Sequence, residues 1–281
     1  MDLCRTIATC RAAVARFRAE GARVGLVTTM GALHAGHMAL IEAAKAGSDR
    51  VVATIFVNPT QFGDPADLDA YPRMEADDLA KLKAAGVHTV FIPDVKEIYP
   101  IGDETIVETT RLAGLYHGAV RPGHFRGVAT VVARLFNIVQ ADAAWFGEKD
   151  YQQLAVIRRM GRDLHFPIEI NGVPTVREAD GLALSSRNAR LTPEDRAAAP
   201  VLHRALQAAA TAAREGATAE ALDRIVRDTL AAEPRAVLAG LDIVEPEGFA
   251  RASGPLTGPV AIMLSATFGD VLLLDQKEIQ P

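Results

Sequence analysis

Two histidines three positions apart are the strongest candidates for chemistry in the sequence. His34 and His37 flank Gly36 in residues 24–38, where an apolar, β-branched run is followed by a glycine-containing turn and then by helical periodicity. A turn between a strand and a helix presents backbone N–H groups and the positive end of the helix dipole, which together favour phosphate. The two imidazoles would add donors there, so a phosphate site is indicated.

The glycine spacing in this turn is not specific by itself. Gly31 and Gly36 fit the spacing of a P-loop, but His37 and Met38 stand where that loop requires Lys and Ser/Thr. A P-loop is therefore excluded. Surface histidines on a loop are the alternative to a phosphate site, and the position directly after the first strand favours the phosphate site.

Two later segments also combine a turn with side chains suited to phosphate. Residues 146–154 read F-G-E-K-D-Y-Q-Q-L, and Lys149 falls in the first turn of the expected helix, where the dipole disfavours a cation unless an anion is bound. Residues 180–188 read D-G-L-A-L-S-S-R-N and hold two hydroxyls, a guanidinium and an amide within four positions. Solvated charge is the alternative for the first segment, and a polar interdomain hinge for the second.

Uncharged amides follow the next predicted strand, residues 51–57. Asn58 and Gln61 come directly after it, and Pro59 ends it. Because the carboxyl ends of parallel strands lie at one edge of a sheet, these amides are expected at the same crevice as the histidines. A turn that Asn58 merely caps is the alternative.

Taken together, these motifs resemble those of one enzyme family. M-G-A-L-H-A-G-H at residues 30–37 resembles the signature of nucleotidyltransferases that use H-x-G-H to handle ATP phosphates. With the other two motifs, the chain resembles the pantothenate synthetase (pantoate:β-alanine ligase) family. One departure is Thr28, where the family usually has a proline that would stiffen the strand exit, so the rigidity of the loop is in question rather than its chemistry.

The resemblance implies an AMP-forming acid–amino-acid ligase of pantothenate (vitamin B5) and coenzyme A biosynthesis. ATP and pantoate would give pantoyl-adenylate and pyrophosphate, and β-alanine would then displace AMP. Mg²⁺ is expected on the ATP phosphates and waters, because no compact carboxylate cluster occurs and Asp77 and Asp78 are poor candidates. The alternatives are another H-x-G-H nucleotidyltransferase without an acyl-transfer step and a non-catalytic ATP-binding protein.

The resemblance also assigns roles residue by residue. A carboxylate nucleophile needs no activating base, so the first step needs donors that stabilise charge on the phosphates. His37 is expected as proton donor, with His34 and Lys149 as further catalytic donors, while Gln61, Gln153 and Asn58 are expected to bind substrate. The expected ATP-binding residues are Met30, Gly31, Ala32, Leu33, His34, Ala35, Gly36, His37, Gly147, Glu148, Lys149, Asp150, Val176, Leu184, Ser185, Ser186 and Arg187.

Composition limits the remaining choices. The chain has 281 residues, is 49% hydrophobic and carries a net charge of −5, so a nucleic-acid or anionic-membrane partner is not expected. No apolar run approaches the length of a membrane span. Cys4 and Cys10 lie six positions apart, which predicts neither a metal site nor a disulfide and favours a reduced, cytoplasmic compartment. A homodimer is implied by the resemblance alone.

Strands and helices alternate along most of the chain, which predicts an α/β fold: a Rossmann-like doubly wound parallel sheet with a smaller C-terminal α+β domain. Residues 1–175 are expected to form the ATP- and pantoate-binding catalytic domain, and residues 176–281 a domain that covers the active site. Apolar residues 124–140 predict a helix that is buried or packed at a subunit interface. Helices are further predicted at residues 3–20, 193–215 and 217–232, and strands at 24–27, 51–57, 87–92, 143–146, 168–176, 241–244, 260–264 and 271–274.

Overall fold

A computed structural model describes all 281 residues and divides into two compact units. The first unit comprises Met1–Gly147 and Gln152–Pro174, and the second comprises Glu148–Tyr151 and Thr175–Pro281. The chain therefore enters the second unit for four residues, returns to the first, and enters the second again. None of the helices combines the length and the apolar character that crossing a membrane requires.

The first unit is built on a six-stranded sheet in which every neighbouring pair is parallel. The strand order β1-β4-β3-β2-β5-β6 reverses at β2, because the chain adds β3 and β4 on one side and β5 and β6 on the other. Ligands of such sheets bind at the carboxyl ends of the strands where the order reverses. The predicted doubly wound parallel sheet is confirmed. Its strands are β1 (Asp2–Cys4), β2 (Val24–Thr29), β3 (Arg50–Ile55), β4 (Thr89–Phe91), β5 (Ala143–Gly147) and β6 (Glu169–Val173).

Helices connect these strands, and their ends follow the usual capping rules. Thr6 caps the first helix through its hydroxyl, which accepts the Thr9 N–H at 3.2 Å. The fourth helix carries acids in its first turn and lysines in its last turn, as its dipole favours. The helices are α1 (Ile7–Ala19), α2 (Ala35–Gly47), α3 (Pro65–Asp69), α4 (Glu75–Ala84), α5 (Val95–Ile98), α6 (His117–Val120), α7 (His124–Val139) and α8 (Tyr151–Asp163).

Small residues let the indole of Trp145 pack between β2 and α2. A Cβ atom at Gly47 would lie 2.6 Å from this ring, and one at Gly25 would lie 2.8 Å from it. Glycine at both positions therefore allows the central strand and the helix that follows it to approach β5 closely. This contact lies at the start of β2 and the end of α2, so it holds the strand and the helix together at the end opposite the turn that carries both histidines.

The N-terminus differs from its prediction as a helix over residues 3–20. Residues 2–4 form β1, which pairs in parallel with β4, and α1 begins only at Ile7. A pairing with residues far along the chain thus overrides the local helical pattern. Thr28 lies inside β2 opposite Thr54, so strand β2 continues past the position where the family usually has proline.

Helix α7 is covered by its own subunit. Twelve of its 16 residues are buried, and Phe136 makes edge contacts with Phe146 and Phe166 at centroid distances of 6.3 and 5.6 Å. Of the two predicted environments, burial is therefore confirmed, and a subunit interface stays a prediction. The apolar character of this helix reflects its place against the parallel sheet.

The second unit packs helices on a three-stranded antiparallel sheet in the order β7-β8-β9, which confirms the predicted smaller α+β domain. Its core joins Leu202, Leu206, Val226, Ile262 and Leu264. The predicted helix over 193–215 is broken at Pro200, and the strands are longer than predicted. The elements are α9 (Pro193–Ala198), α10 (Val201–Arg214), α11 (Ala219–Ala231), β7 (Val237–Val244), β8 (Val260–Phe268) and β9 (Val271–Ile279).

Candidate active site

The two histidines lie side by side in the turn between β2 and α2. His34 is the N-cap of α2, and its Nδ1 accepts the Gly36 N–H at 3.1 Å. His37 lies in the first turn of α2, and its Nδ1 accepts the His34 N–H at 3.3 Å. The ring centroids are 4.1 Å apart. The imidazoles thus form a reciprocal capping box, a role that Ser or Thr with Glu or Gln usually plays.

These hydrogen bonds fix the tautomer of both rings. A ring nitrogen that accepts a hydrogen bond carries no proton, so the proton of each neutral imidazole is on Nε2. His34 and His37 therefore each have an Nε2–H group as a donor. Two such donors on adjacent rings at a helix N-terminus suit an anionic oxygen ligand.

The backbone amides of the same turn are engaged within the chain, contrary to the expectation that they donate to phosphate. The Gly31 N–H bonds to Thr29 Oγ1 at 3.2 Å. The N–H groups of Ala32 and Leu33 donate to the two carboxylate oxygens of Asp78, both at 2.8 Å. Asp78 is only 1% exposed, and a local pattern did not reveal this contact because the partners are more than forty residues apart. The N–H groups of Gly31, Ala32 and Leu33 are therefore used within the chain.

Asn58 organises the turn after β3. Its Oδ1 accepts hydrogen bonds from Tyr99 Oη at 2.8 Å and from Thr60 Oγ1 at 2.9 Å. Its Nδ2 donates to Gln61 Oε1 at 3.0 Å and to Gly127 O at 3.2 Å. With both Nδ2 hydrogens used and 1% exposure, Asn58 has no donor left for a substrate, contrary to the expectation.

Gln61 connects the two turns of the first unit. Its Nε2 approaches the Met30 sulfur at 3.2 Å, while Asn58 holds its Oε1. The start of the histidine turn and the amide turn are thereby brought together, as their places at neighbouring strand ends predict. Gly127 allows this arrangement, because a Cβ atom there would lie 2.5 Å from Thr60 O.

The adjacent glutamines of α8 have opposite environments. Gln152 is 2% exposed and bonds to three backbone groups, Leu112 O at 3.0 Å, Leu115 O at 2.7 Å and the His117 N–H at 3.1 Å. Gln153 is half-buried, and its amide makes no hydrogen bond within the chain. Gln153 therefore has both an acceptor and donors for a ligand.

Lys149 lies in the second unit, in a 3₁₀ turn over Glu148–Asp150 that precedes α8. Its side chain is 19% exposed, and its Nζ is 3.8 Å from Asp150 Oδ1. Tyr151 attaches this turn to the second unit by stacking on Phe249, with centroids 5.7 Å apart, and by donating to Glu278 Oε2 at 2.8 Å.

The segment from Val176 to Arg190 contains the remaining predicted phosphate donors. The Leu184 N–H bonds to Val176 O at 2.9 Å, so these two predicted ATP-binding residues are adjacent. Ser185 caps a 3₁₀ turn over Ser186–Arg190, and its Oγ accepts the Arg187 N–H at 3.2 Å. The side chains of Ser186 and Arg187 have no hydrogen bond or ion pair within the chain.

Ion pairs behind this segment hold it in place. Arg177 forms two bonds with the buried carboxylate of Asp275, at 2.7 and 2.8 Å. Arg196 pairs with Glu178 at 2.7 Å and with Asp180 at 2.6 Å. The segment is therefore cross-linked within the second unit, which argues against the hinge alternative.

The amide of Asn188 belongs to the same support, because it donates to Glu178 Oε1 at 3.2 Å and to Ala183 O at 3.1 Å. Both of its Nδ2 hydrogens are used, so this amide is not a donor for phosphate. The turn that carries Lys149 and the turn Ser186–Arg190 both lie against β9. In the second unit, the two turns that carry the predicted phosphate donors therefore both pack on one strand, β9.

Comparison with known proteins gives a consistent result along the whole chain. The family model described as Pantoate-beta-alanine ligase matches residues 2–278. A pantothenate synthetase of Bartonella tribocorum is 49% identical over 281 residues, which is 100% of this chain and 98% of that protein. A pantothenate synthetase of Agrobacterium fabrum is 48% identical over 280 residues, 99% of this chain and 96% of that protein.

Solved structures agree with the sequence comparison. The crystal structure of pantothenate synthetase from Thermus thermophilus matches with a TM-score of 0.93 and 49% identity, over 100% of both chains. A pantoate-beta-alanine ligase from Francisella tularensis, described as complexed with beta-gamma ATP and beta-alanine, matches with a TM-score of 0.77 and 32% identity, over 99% of this chain and 97% of that one. The chain belongs to the pantoate–β-alanine ligase (pantothenate synthetase) family.

Proposed function

We propose that the chain joins pantoate and β-alanine to form pantothenate, while ATP is converted to AMP and pyrophosphate. Family membership over the whole chain carries this proposal. The H-x-G-H turn supports it, because both imidazoles are fixed there with Nε2–H groups as donors. The proposed place of the reaction is the pantothenate branch of coenzyme A biosynthesis.

In the first proposed step, a carboxylate oxygen of pantoate attacks the α-phosphorus of ATP. A P–O bond forms, the bond to the β-phosphate oxygen breaks, and pantoyl-adenylate and pyrophosphate result. Negative charge grows on the phosphate oxygens, so fixed donors lower the barrier. We assign this role to the Nε2–H groups of His34 and His37, with His37 donating its hydrogen bond to the pyrophosphate side.

In the second proposed step, the free amine of β-alanine attacks the acyl carbon of the adenylate. A C–N bond forms, the acyl–oxygen bond to AMP breaks, and the amine proton passes to solvent. The leaving group is again a phosphate oxygen. The donors that stabilise charge in the first step therefore serve in the second as well.

Donors in the second unit are proposed to bind the phosphates of ATP. Lys149 supplies an ammonium, Ser185 and Ser186 supply hydroxyls, and Arg187 supplies a guanidinium. The absence of partners for Arg187 and Ser186 within the chain supports this role, since a guanidinium and a hydroxyl at a turn are suited to phosphate oxygens. The further proposed ATP contacts are Met30, Gly31, Ala32, Leu33, Ala35, Gly36, Gly147, Glu148, Asp150, Val176 and Leu184.

Gln153 and Gln61 are proposed to bind the hydroxyls and carboxylate of pantoate, and Gln61 to lie near β-alanine. The unpaired amide of Gln153 supports its assignment. Asn58 is proposed to act indirectly, because its hydrogen bond at 3.0 Å fixes the orientation of the Gln61 amide. Asn58 thus supports a substrate-binding residue and does not itself contact substrate.

Mg²⁺ is proposed to bind mainly through the ATP phosphates and water, where it would neutralise charge on the phosphates. No group of three or more His, Cys, Asp or Glu side chains is arranged to hold a metal ion. Asp78 is unsuited to be a ligand because both of its carboxylate oxygens accept backbone N–H groups.

We further propose a homodimer in the cytoplasm. Three large apolar side chains of the first unit, Ile101, Ile106 and Val120, are 96%, 61% and 75% exposed, and a second copy would cover such groups. Both cysteines are free and buried, which suits a reducing compartment. Sedimentation equilibrium of the wild type and of Ile106→Glu tests the dimer, and a monomeric wild type would contradict it.

Product analysis by ³¹P NMR tests the proposed function. With ATP, Mg²⁺ and pantoate, AMP and pyrophosphate are expected to accumulate over many turnovers only when β-alanine is present. Formation of ADP and phosphate would reject the proposal. Turnover that is independent of β-alanine would instead indicate an H-x-G-H nucleotidyltransferase without an acyl-transfer step.

A further inference from the structure

We propose that Asp78 and Lys81 are positioning residues that set the conformation of the histidine turn, an inference that rests on the proposed function. Both belong to α4, which packs beside this turn. Asp78 accepts the N–H groups of Ala32 and Leu33, each at 2.8 Å. Lys81 donates from Nζ to Leu33 O at 2.8 Å. One helix thus binds both the donors and an acceptor of the same short stretch of backbone.

The backbone of this turn needs such support. Gly31 has φ of 85° and Ala32 has φ of 50°, so two successive residues are left-handed. Glycine adopts this conformation freely, but alanine does so rarely because its Cβ atom is crowded by the backbone. Gly31 also leaves room for the carboxylate, since a Cβ atom there would lie 3.0 Å from Asp78 Oδ2. Two charge-assisted bonds to Asp78 therefore hold a conformation that the sequence does not favour locally.

The position of Asp78 in α4 explains how a buried carboxylate is tolerated. It lies in the first turn of the helix, where the dipole favours an anion. Both of its oxygens have hydrogen-bonded partners, as a buried charge requires. Asp77 precedes it but is exposed. The two acids therefore differ in environment although they are neighbours in sequence.

The support reaches the histidines through the main chain. Leu33 is bonded at its N–H by Asp78 and at its carbonyl by Lys81, and the next residue is His34. The N–H of His34 then donates to Nδ1 of His37, and Nδ1 of His34 accepts the Gly36 N–H. A rotation of the peptide planes at residues 32–34 would therefore move both rings. A displacement of about 1 Å at reacting groups is enough to lower a rate by about 10²-fold.

The test compares Asp78→Asn with the matched control Asp77→Asn in the full-length chain. Asparagine keeps one acceptor but turns an NH₂ group toward a backbone N–H. We expect kcat to fall by about 10- to 100-fold in Asp78→Asn, with the KM for pantoate changed by less than about threefold, and Asp77→Asn to match the wild type. A kcat for Asp78→Asn within about twofold of the control would overturn the proposal.

Lys81→Met gives a second test if Asp78→Asn does not fold. It keeps the length of the apolar stem and removes the ammonium that bonds to Leu33 O, so a smaller fall in kcat, about three- to tenfold, is expected. A wild-type kcat for Lys81→Met in that case would overturn the proposal. Equal losses in Asp77→Asn and Asp78→Asn that are rescued by higher Mg²⁺ would also overturn it, since a metal-binding pair would behave in this way.

A spectroscopic readout separates positioning from general stability. The ring ¹⁵N shifts of the seven histidines report which nitrogen carries the proton. We expect Asp78→Asn to change the shifts of His34 and His37 and to leave those of His88 and His203 unchanged. Changes in all rings alike would indicate a general loss of structure and reject a positioning role. This result does not depend on turnover, so it remains decisive if the ³¹P experiment rejects the proposed function.

Discussion

The histidine turn of the first unit and the serine–arginine segment of the second, Leu184–Arg187, are both proposed to stabilise charge on phosphate, and they differ in how their donors are held. In the turn, Nδ1 of both imidazoles and most backbone N–H groups are bonded within the chain, so the rings can donate only through Nε2. In the serine–arginine segment, the side chains of Ser186 and Arg187 have no hydrogen bond or ion pair within the chain. In the histidine turn, hydrogen bonds hold the donor rings themselves. In the serine–arginine segment, they hold the backbone, and the side chains of Ser186 and Arg187 are not held.

The two regions therefore differ in when the conformational entropy of their donors is lost: on folding in the histidine turn, and on ligand binding in the serine–arginine segment. Donors that are held in place before a ligand binds need no reorganisation in the transition state, which is the most effective form of charge stabilisation. Long side chains without partners lose rotamer entropy on binding and so convert less of their interaction into affinity. We therefore expect the turn to contribute chiefly to kcat and the serine–arginine segment chiefly to ATP binding.

Substitution of His37 is expected to have the largest effect. In His37→Asn, Oδ1 can still accept the His34 N–H, but the Nε2–H donor is lost. We expect kcat to fall by about 10²- to 10³-fold, as for loss of one preorganised donor, with little change in Tm. His37→Gln places an N–H group near the Nε2 position and should recover part of the rate. Steady-state kinetics and thermal unfolding measure this, and an active His37→Asn variant would show that the Nε2 donor is not used.

Loss of the support behind the serine–arginine segment is expected to have the next largest effect, on stability. Asp275→Ala removes the buried partner of Arg177 and leaves its guanidinium unpaired, which should cost about 3 kcal/mol of unfolding free energy. Asp270→Ala is the matched control, since Asp270 is exposed at the turn before β9. Urea unfolding measures both variants. Equal stability of the two would contradict the role of the ion pair as support.

Removal of the Arg187 guanidinium tests the other side of the comparison. Arg187→Ala should raise the KM for ATP by about 10- to 100-fold, the value of one or two hydrogen bonds to a charged group. Because Arg187 has no partner within the chain, Tm should not change. Arg190→Ala, three residues later and exposed, serves as the control. If kcat fell and the KM for ATP did not change, the proposal that this segment serves chiefly ATP binding would be wrong.

The glutamine pair gives a smaller effect with an internal control. Gln153→Ala should raise the KM for pantoate by about three- to tenfold and leave Tm unchanged. Gln152→Ala should instead lower the unfolding free energy by about 1–3 kcal/mol, because it leaves the carbonyls of Leu112 and Leu115 unpaired. If both variants altered pantoate binding alike, the assignment of Gln153 would be wrong.

Acid should affect the two units in different pH ranges, with the smallest effects of this series. Burial lowers the pKa of His88 below 6.5, and its Nδ1 accepts the Val51 N–H at 3.1 Å. The Arg196 guanidinium lowers the pKa of Asp180 below 3.8. Each group contributes its full share of the unfolding free energy when the pH is above the pKa that it has in the unfolded chain. That share is lost as the pH falls through the lower pKa that the group has in the folded chain.

Hydrogen exchange, corrected for intrinsic rates, measures both effects. Protection near Val51 is expected to begin to fall below about pH 6.5. The Leu182 N–H donates to Asp180 Oδ1 at 3.2 Å, so its protection is expected to fall only below about pH 3.8. Loss of protection at both sites over one common pH range would contradict this separation.

Much of the fold could be predicted because its signals are local. The apolar runs, the glycine turns and the alternation of strands and helices indicate the parallel sheet, and the small C-terminal sheet follows from three apolar runs. Strand β1 could not be predicted, since three residues carry little periodicity and their partner is β4. The break of the predicted helix at Pro200 is a local signal that was available in the sequence.

The candidate site likewise contains residues that the sequence could identify and contacts that it could not. Residue types and motif order identify the two histidines, Lys149 and the serine–arginine segment, and their roles stay predictions. Asp78 is an acid at a helix start by its local pattern, and its contact with Ala32 depends on tertiary structure. Likewise, sequence cannot tell which of Gln152 and Gln153 faces inward, because that depends on the rotation of α8.

Gly127 has a consequence for how this enzyme family can vary. The main chain of α7 lies so close to the main chain of Thr60 that no side chain fits between them. Glycine is therefore required at position 127 for its lack of a side chain, although the residue has no proposed contact to substrate. Any side chain at position 127 would therefore have to displace the turn that carries Gln61, and with it the amide that is proposed to contact substrate.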